Sequence, residues 1–202
     1  MNIQTIQTGN IGENCYLVTA GKTVYVIDPG ADGRVIGSRI RSLGSSFDKV
    51  EILLTHSHAD HIGAVPYIAE EFNAVTRLAA ADREIYFSPD NAFPPYIPLA
   101  VGLPEPADYD VNGDYQVIAT PGHTPGGVCL LFKAEDGTNH LFTGDTLFAG
   151  SVGRTDFEGG SMQQLSASLA KLVNTLAPDT VIYPGHGEPS TIGYEKTHNP
   201  YL

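Results

Sequence analysis

The sequence has no long hydrophobic run, few cysteines and few basic residues. No uninterrupted apolar stretch of eighteen residues occurs among the 202, so we predict that no segment crosses a membrane. The start, Met1 to Gln4, lacks both the basic region and the apolar region of a secretion signal. Together these absences favour a cytoplasmic location.

Cysteine is represented only by Cys15 and Cys129, and both lie in apolar, strand-like surroundings. A disulfide between them is an alternative, but the surroundings are those of buried side chains. In a reducing compartment such thiols remain unpaired. We therefore expect two buried free cysteines.

Basic residues are scarce, with 11 Lys and Arg against 23 Asp and Glu, which gives a net charge of −12. The stretch from 84 to 132 contains no Lys or Arg and has six acidic residues. This balance argues against nucleic acid and against anionic membrane surfaces as partners.

The composition is that of a globular protein, with 42% hydrophobic residues, 22 glycines and 14 prolines. Residues 1–202 are long enough to bury a core, and we expect them to form a single domain. Groups of strands and helices follow one another twice, without regular alternation of strand and helix. The order predicts an α/β fold with layers and mixed sheets.

Apolar periodicity and turn residues locate the individual elements. Helices are predicted at 32–43, 61–72, 81–87 and 161–176. Strands are predicted at 2–8, 14–20, 23–28, 50–54, 75–80, 109–111, 115–119, 127–132, 139–143 and 181–183. Asn112-Gly113 indicates a two-residue hairpin turn. Residues 193–202 are expected to form at most one helical turn.

A proline-rich segment, residues 88–108, lies between the predicted helix at 81–87 and the hairpin. It contains six prolines with aromatic residues between them. A surface loop stiffened by proline and a wall of a substrate pocket are both consistent with this composition.

One loop concentrates side chains that bind metals. It follows the apolar strand 50–54 and has the sequence Thr55-His56-Ser57-His58-Ala59-Asp60-His61. The first two histidines share one side of an extended segment, whereas Asp60 and His61 turn away with the chain. One metal ion could hardly use all four side chains, but two adjacent ions could. The spacing therefore predicts a dinuclear site.

Three further residues follow predicted strands and are surrounded by Gly and Pro. His123 lies in Thr120-Pro121-Gly122-His123, Asp145 in Thr143-Gly144-Asp145, and His186 in Pro184-Gly185-His186-Gly187. Any one of them alone would more often be an ordinary loop residue. Five of the seven histidines share this context, however, which favours one common site.

The complete pattern resembles the metallo-β-lactamase superfamily. His-x-His-x-Asp-His is followed by a His after 62 residues, an Asp after 22 more and a His after another 41. The resemblance includes the early turn Asp28-Pro29-Gly30 and implies a four-layer αβ/βα sandwich with two mixed β-sheets. Within the superfamily the chain looks most like small single-domain bacterial members of the glyoxalase II group. That closer likeness rests on Asn14-Cys15-Tyr16, residues 150–157 and the tail from 190 to 202.

The resemblance also implies a set of ligands for two metal ions. One ion would take His56, His58 and His123, the other would take Asp60, His61 and His186, and Asp145 would bridge them. Imidazole with carboxylate suits Zn²⁺, so two Zn²⁺ per chain are expected, and the oxygen-richer second site also tolerates Fe or Mn. Sites with room for water are catalytic rather than structural.

The function implied is hydrolysis by a hydroxide that bridges the metals. A thioester is the expected substrate, for example S-lactoylglutathione or another S-2-hydroxyacylglutathione, because its thiolate leaves without a dedicated proton donor. Asp60 is the candidate for a catalytic contact to the hydroxide in addition to its role as a ligand. Arg154 is a candidate for binding a substrate carboxylate, and Asp28 for orienting a ligand.

Two other activities stay open. Persulfide dioxygenases, which use one iron, share Thr-His-x-His-Ala-Asp-His and Gly-Arg-Thr-Asp-Phe, found here at 55–61 and 153–157. Their iron ligands would correspond to His56, His123 and Asp145. A metallo-lactonase would use the same hydroxide on a cyclic ester.

Overall fold

The computed structural model describes all 202 residues, which form two compact units, Met1–Tyr109 and Asp110–Leu202. We call them the N-terminal and the C-terminal unit. Each contains one five-stranded mixed sheet and helices of its own. The predicted class, α/β with two mixed sheets, is confirmed, whereas the single domain over residues 1–202 stays a prediction. None of the helices is both long and apolar enough to cross a membrane.

The sheet of the N-terminal unit has the strand order β1-β2-β3-β4-β5. The first three strands are antiparallel neighbours, and β3, β4 and β5 are parallel. The elements are β1 Asn2–Thr8, β2 Glu13–Ala20, β3 Thr23–Ile27, α1 Gly33–Ser42, β4 Lys49–Leu53, α2 Ala59–Ile62, α3 Val65–Phe72, β5 Val75–Arg77, a 3₁₀ helix Ala80–Asp82 and α4 Arg83–Tyr86.

Helices α1 and α3 form the core of this unit with one face of the sheet. Ile36 and Ile40 of α1 are four residues apart and therefore lie on the same side of the helix. They pack in one cluster with Val65 and Ile68 of α3 and with the inward residues of β2, β3 and β4. The three strands are almost continuously buried.

The sheet of the C-terminal unit has the order β12-β11-β8-β7-β6. Strands β8 and β11 are parallel, and the other neighbours are antiparallel. The elements are β6 Tyr115–Ala119, β7 Val128–Lys133, β8 Asn139–Gly144, a small hairpin of β9 Leu147–Phe148 and β10 Ser151–Val152, α5 Met162–Thr175, β11 Val181–Pro184, β12 Ser190–Thr191 and α6 Ile192–His198.

The core of this unit forms under α5 and α6. Leu165, Leu169 and Leu172 of α5 are fully buried or nearly so and follow the spacing of one helix face. They pack with Ile192 of α6 and with the inward side of β6, β7, β8 and β11, where Cys129 lies. Cys15 and Cys129 are both buried and unpaired, as the sequence predicts.

The helix predicted at 61–72 is two helices, because the chain is interrupted between α2 and α3. The backbone N–H of Ala64 donates to the carbonyl oxygen of Pro29 at 2.9 Å. Gly63 passes so close to the carbonyl oxygen of Gly30 that a Cβ on Gly63 would lie 2.3 Å from it. The long-range contact with the Asp28-Pro29-Gly30 turn therefore prevails over the local helical pattern.

Two other element predictions are wrong. Residues 109–111 form no strand, because Asp110 closes the turn at Asn112-Gly113 with its own carboxylate and carbonyl oxygens. The tail forms α6, two turns long, because the Thr191 hydroxyl caps the backbone N–H of Tyr194 and so starts the helix.

Candidate metal centre

The sheet order brings the predicted ligands of each unit to one sheet edge. In the N-terminal unit β3 and β4 are parallel, so Asp28 and the histidine loop both follow carboxyl ends of neighbouring strands. In the C-terminal unit β6, β8 and β11 all run in the same direction. His123, Asp145 and His186 follow these three strands.

The histidine loop of the N-terminal unit, residues 55–61, is compact and mostly buried. The rings of His56 and His61 have centroids 4.1 Å apart, and those of His56 and His58 are 5.0 Å apart, edge to face. Nε2 of His61 lies 3.6 Å from a carboxylate oxygen of Asp60. All four predicted ligands of this unit are thus grouped in one place.

Asp28 organises this group through both of its carboxylate oxygens. Oδ1 accepts the backbone N–H of Thr55 at 2.6 Å, and Oδ2 accepts the Thr55 hydroxyl at 2.6 Å. Oδ2 also lies 3.1 Å from Nδ1 of His61, and the Thr55 hydroxyl oxygen lies 3.1 Å from Nδ1 of His56. With Nδ1 of both rings held in this way, Nε2 is the nitrogen of each that is suited to bind a metal.

A second buried carboxylate, Asp82, fixes the middle of the loop. It accepts the backbone N–H of Ser57 at 3.1 Å, and the Ser57 hydroxyl donates to its carbonyl oxygen at 3.1 Å. The side chain of Asn91 donates to the carbonyl oxygen of Ser57 at 2.8 Å. Neither Asp82 nor Asn91 was predicted, because nothing in their local sequence links them to a loop 25 residues away or more.

Glu13 is a third acidic residue near the loop and, after Asp82, the second that the sequence did not reveal. The tripeptide Gly12-Glu13-Asn14 has the composition of a turn, but Glu13 begins β2 and is only 1% exposed. Its Oε2 accepts the Thr8 hydroxyl at 2.6 Å, and its Oε1 lies 3.8 Å from Nδ1 of His61. Burial raises the pKa of Glu13 well above its ordinary value, and the proximity of His61 partly opposes this.

Asp145 is the centre of the ligand group in the C-terminal unit. One of its carboxylate oxygens lies 3.5 Å from Nε2 of His123, and the other lies 3.9 Å from Nε2 of His186. Each oxygen therefore faces a different histidine. This arrangement suits a carboxylate that binds two metal ions, one through each oxygen.

The segment after Asp145 orients His123. Its Nδ1 lies 2.7 Å from the carbonyl oxygen of Arg154, so Nδ1–H donates to that oxygen and Nε2 faces Asp145. Gly153 makes this approach feasible, because a Cβ there would lie 1.8 Å from the carbonyl oxygen of Asp145.

The guanidinium of Arg154 contacts other residues than His123. It forms two hydrogen bonds to Asp156, at 2.6 and 2.7 Å, and lies 4.1 Å from the centroid of the Phe157 ring. This pairing raises the pKa of Arg154 and lowers that of Asp156 to about 2. The predicted substrate contact of Arg154 stays a prediction, and the contribution observed is that of its carbonyl oxygen.

The donor atoms fit metal ions in each unit. Two ligands bound to one Zn²⁺ at about 2.0–2.1 Å with tetrahedral angles lie about 3.4 Å apart. The three separations of 3.5, 3.6 and 3.9 Å around Asp145 and Asp60 are near this value and are longer than most direct hydrogen bonds. The sharing of ions between ligands of the two units stays a prediction.

Known proteins resemble this chain over nearly its whole length. Hydroxyacylglutathione hydrolase GloC of Haemophilus influenzae is 32% identical, covering 100% of this chain and 98% of that protein. A probable metallo-hydrolase of Streptococcus pyogenes is 33% identical, covering 95% and 86%. The crystal structure of TTHA1623 in a di-iron-bound form superposes with a TM-score of 0.86 and 35% identity, covering 98% and 100%.

The family model described as the metallo-beta-lactamase superfamily matches residues 8–186. That range includes every predicted metal ligand and the turn at Asp28, and the sandwich expected from the sequence is the fold class of this family. The chain belongs to the metallo-β-lactamase superfamily.

Proposed function

We propose that this protein is a hydrolase that uses two metal ions and cleaves thioesters in the manner of glyoxalase II. The ions are held by His56, His58, Asp60, His61, His123, Asp145 and His186, as the sequence predicts. The observation that carries the proposal is the orientation of the histidines within each unit. His61 and His123 use Nδ1 for a hydrogen bond and direct Nε2 towards a carboxylate.

The chemistry of the ligands supports hydrolysis. Two bound divalent cations would lower the pKa of a water molecule and polarise a substrate carbonyl. The protein residues have the task of holding the ligand atoms in place. Asp28 does so for His61, and the Arg154 carbonyl does so for His123. No proton donor for the leaving group is required if that group is a thiolate.

The substrate class is supported by the resemblance to hydroxyacylglutathione hydrolase GloC and by the motifs at 14–16 and 150–157. An S-2-hydroxyacylglutathione such as S-lactoylglutathione is therefore the first substrate to test. Zn²⁺ suits the histidine-rich ligands, and the di-iron form of TTHA1623 supports Fe as the alternative.

One assay tests this proposal directly. Protein of measured metal content is incubated with S-lactoylglutathione and, in parallel, with other thioesters and a lactone. We expect thiol release from at least one thioester and about two metal ions per chain. If protein loaded with two ions hydrolyses no thioester, the proposal is wrong.

His58→Ala distinguishes catalysis from simple metal binding. We expect a loss of activity of at least about a hundredfold together with an unchanged circular dichroism spectrum, because the variant removes a ligand and no core contact. His198→Ala is the matched control, since His198 lies on the exposed side of α6, bonded to Tyr194 and Thr197. Equal activity in both variants would contradict the role of His58.

A second candidate is a dioxygenase that oxidises a persulfide with one iron. It is favoured by the Gly-Arg-Thr-Asp-Phe segment, whose arginine carbonyl binds His123. The iron would be held by His56, His123 and Asp145. One iron per chain together with oxygen consumption in the presence of a persulfide would favour it over hydrolysis.

A further inference from the structure

The C-terminal helix α6 and the residue that follows it carry two buried polar side chains that the proposed reaction does not use. Glu195 is completely buried and Asn199 is 5% exposed. The side chain of Asn199 donates to a carboxylate oxygen of Glu195 at 2.9 Å. The Ser190 hydroxyl donates to the other oxygen at 2.5 Å. A buried carboxylate with this many donors is held in one position.

Glu195 and Asn199 hydrogen-bond to three backbone atoms of the β9–β10 hairpin. The backbone N–H of Gly150 donates to Glu195 at 2.8 Å. The side chain of Asn199 donates to the carbonyl oxygen of Ser151 at 3.0 Å and lies 3.4 Å from that of Phe148. The hairpin has only two residues in each strand, so its own ladder cannot fix its position.

The hairpin in turn contacts the predicted metal ligands of the C-terminal unit. It begins two residues after Asp145 and ends directly before Gly153 and Arg154. The Arg154 carbonyl oxygen accepts Nδ1–H of His123. The ring of Phe148 packs edge to face against His186, with 6.3 Å between centroids. A shift of the turn would therefore disturb the setting of all three ligands.

We propose that Glu195 and Asn199 are positioning residues for the metal centre, which act through the β9–β10 turn on His123 and His186. This inference rests on the ligands of the proposed function. It assigns to these two residues a role beyond stability, and it explains why a segment without a metal ligand buries an acid and an amide.

Asn199→Ala tests the inference against Ile192→Val. Both changes affect the C-terminal segment, but Ile192 packs in the hydrophobic cluster that also includes Leu147 of the hairpin, and Ile192→Val removes none of the hydrogen bonds from Glu195 and Asn199 to the turn. Metal affinity is measured by competition with a chromogenic chelator, at a temperature at which both variants are folded. We expect Asn199→Ala to lower the affinity for at least one ion about tenfold and Ile192→Val to change it less than twofold. Equal affinities in the two variants would overturn the inference.

A second readout does not require metal. In metal-free protein the Nδ1–H of His123, bonded to the Arg154 carbonyl, is expected to give a protected imidazole N–H resonance. Asn199→Ala should lose or broaden this resonance, and Ile192→Val should keep it. Retention of the resonance in Asn199→Ala, with only a lower melting temperature, would show a purely structural role.

Glu195→Gln carries the test if Asn199→Ala does not fold. Gln keeps an acceptor for the Gly150 N–H but removes the charge, so a smaller loss of metal affinity in the same direction is expected. The wild-type titration separates the two proposals. A wild-type chain that binds no metal refutes the proposed function, whereas normal wild-type binding with unaffected variants refutes only the positioning role.

Discussion

Single hydrogen bonds determine which nitrogen of His56, His61 and His123 is available to bind a metal ion. Asp28 acts on His61 directly and on His56 through the Thr55 hydroxyl. The Arg154 carbonyl does the same for His123. Asp28 and Arg154 lie more than thirty residues from His61 and His123, and Thr55 is itself fixed by Asp28, so it is the folded chain that selects the tautomer.

Asp28→Asn should therefore weaken metal binding. The amide keeps the size of the side chain but replaces one acceptor oxygen by a donor, which cannot accept from both Thr55 and His61. We expect affinity to fall about 10- to 100-fold, measured by chelator competition. Asp32→Asn is the control, since Asp32 only accepts the N–H of Gly9 near the surface. Unchanged affinity in Asp28→Asn would contradict the orienting role.

Because of the buried thiol of Cys129, the free energy of unfolding should decrease as the pH rises in the alkaline range. Burial raises its pKa from 9.0 to about 11, so between these values the thiol ionises in the unfolded chain and not in the folded one. The contribution of the buried thiol to the free energy of unfolding is therefore complete below pH 9 and is lost as the pH rises towards 11.

Urea unfolding at pH 8 and pH 10 measures this effect. Between these values we expect the free energy of unfolding of the wild type to fall about 1.4 kcal/mol more than that of Cys129→Ala. Equal decreases in both proteins would show that the thiol ionises as readily in the folded chain as in the unfolded one.

At the scale of elements, strands flanked by turns were predictable. Breaks in a helix that depend on contacts distant in sequence were not. Strands β1, β2 and β3 agree with their predictions to within one residue, because alternation and glycine turns are local signals. The break between α2 and α3 depends on Pro29 and Gly30, more than thirty residues earlier. The false hairpin at Asn112 arose because a side-chain turn uses the same residues as a hairpin turn.

Gly30→Ala should disrupt the contact between the early turn and α2. A Cβ on Gly30 would lie 1.7 Å from the carbonyl oxygen of Asp60, so the backbone next to a predicted ligand must move. We expect a loss of about 3 kcal/mol, or roughly 6–12 °C in melting temperature, with weaker metal binding.

Gly44→Ala is the matched control for this change. Gly44 has a φ of +64°, but an added Cβ meets nothing within 4 Å, so only the backbone preference of about 1 kcal/mol is lost. If both variants melted at the same temperature, the close approach of Gly30 to Asp60 would not be what limits the residue at position 30, and the expected loss of stability would be wrong.

The sequence was sufficient to predict those metal ligands of the candidate site that follow the ends of strands. His56, His123, Asp145 and His186 each come soon after a strand, and residue type with spacing was sufficient to select them. The residues that hold them were harder to find, because Asp82, Glu13 and the Arg154 carbonyl act through contacts distant in sequence or through the backbone. Asn199 lies in the tail from 190 to 202, whose sequence resembles the family, but only its hydrogen bonds indicate a role for it.

At the scale of the whole molecule, the net charge should influence encounters with charged ligands. The chain carries −12, and two divalent cations would leave it acidic. An anionic glutathione thioester should therefore approach against a repulsive field, which salt screens.

Kinetics at two ionic strengths test this expectation. Between about 10 and 150 mM salt we expect kcat/KM for S-lactoylglutathione to rise roughly twofold. An uncharged thioester of similar size should show no such rise and is the control. A decrease for the anionic substrate would indicate a locally positive approach to the site that outweighs the net charge.

Gly153 has a consequence for the genetics of this protein. Every glycine codon begins with two guanines, and any single-base change that alters the amino acid adds a side chain with a Cβ or stops translation. At position 153 that atom would lie 1.8 Å from the Asp145 carbonyl oxygen and 3.2 Å from Nδ1 of His123. No single-base change that replaces this glycine therefore keeps both ligands undisturbed. Selection for a working metal centre would leave glycine alone at this position, whatever substrate the lineage came to use.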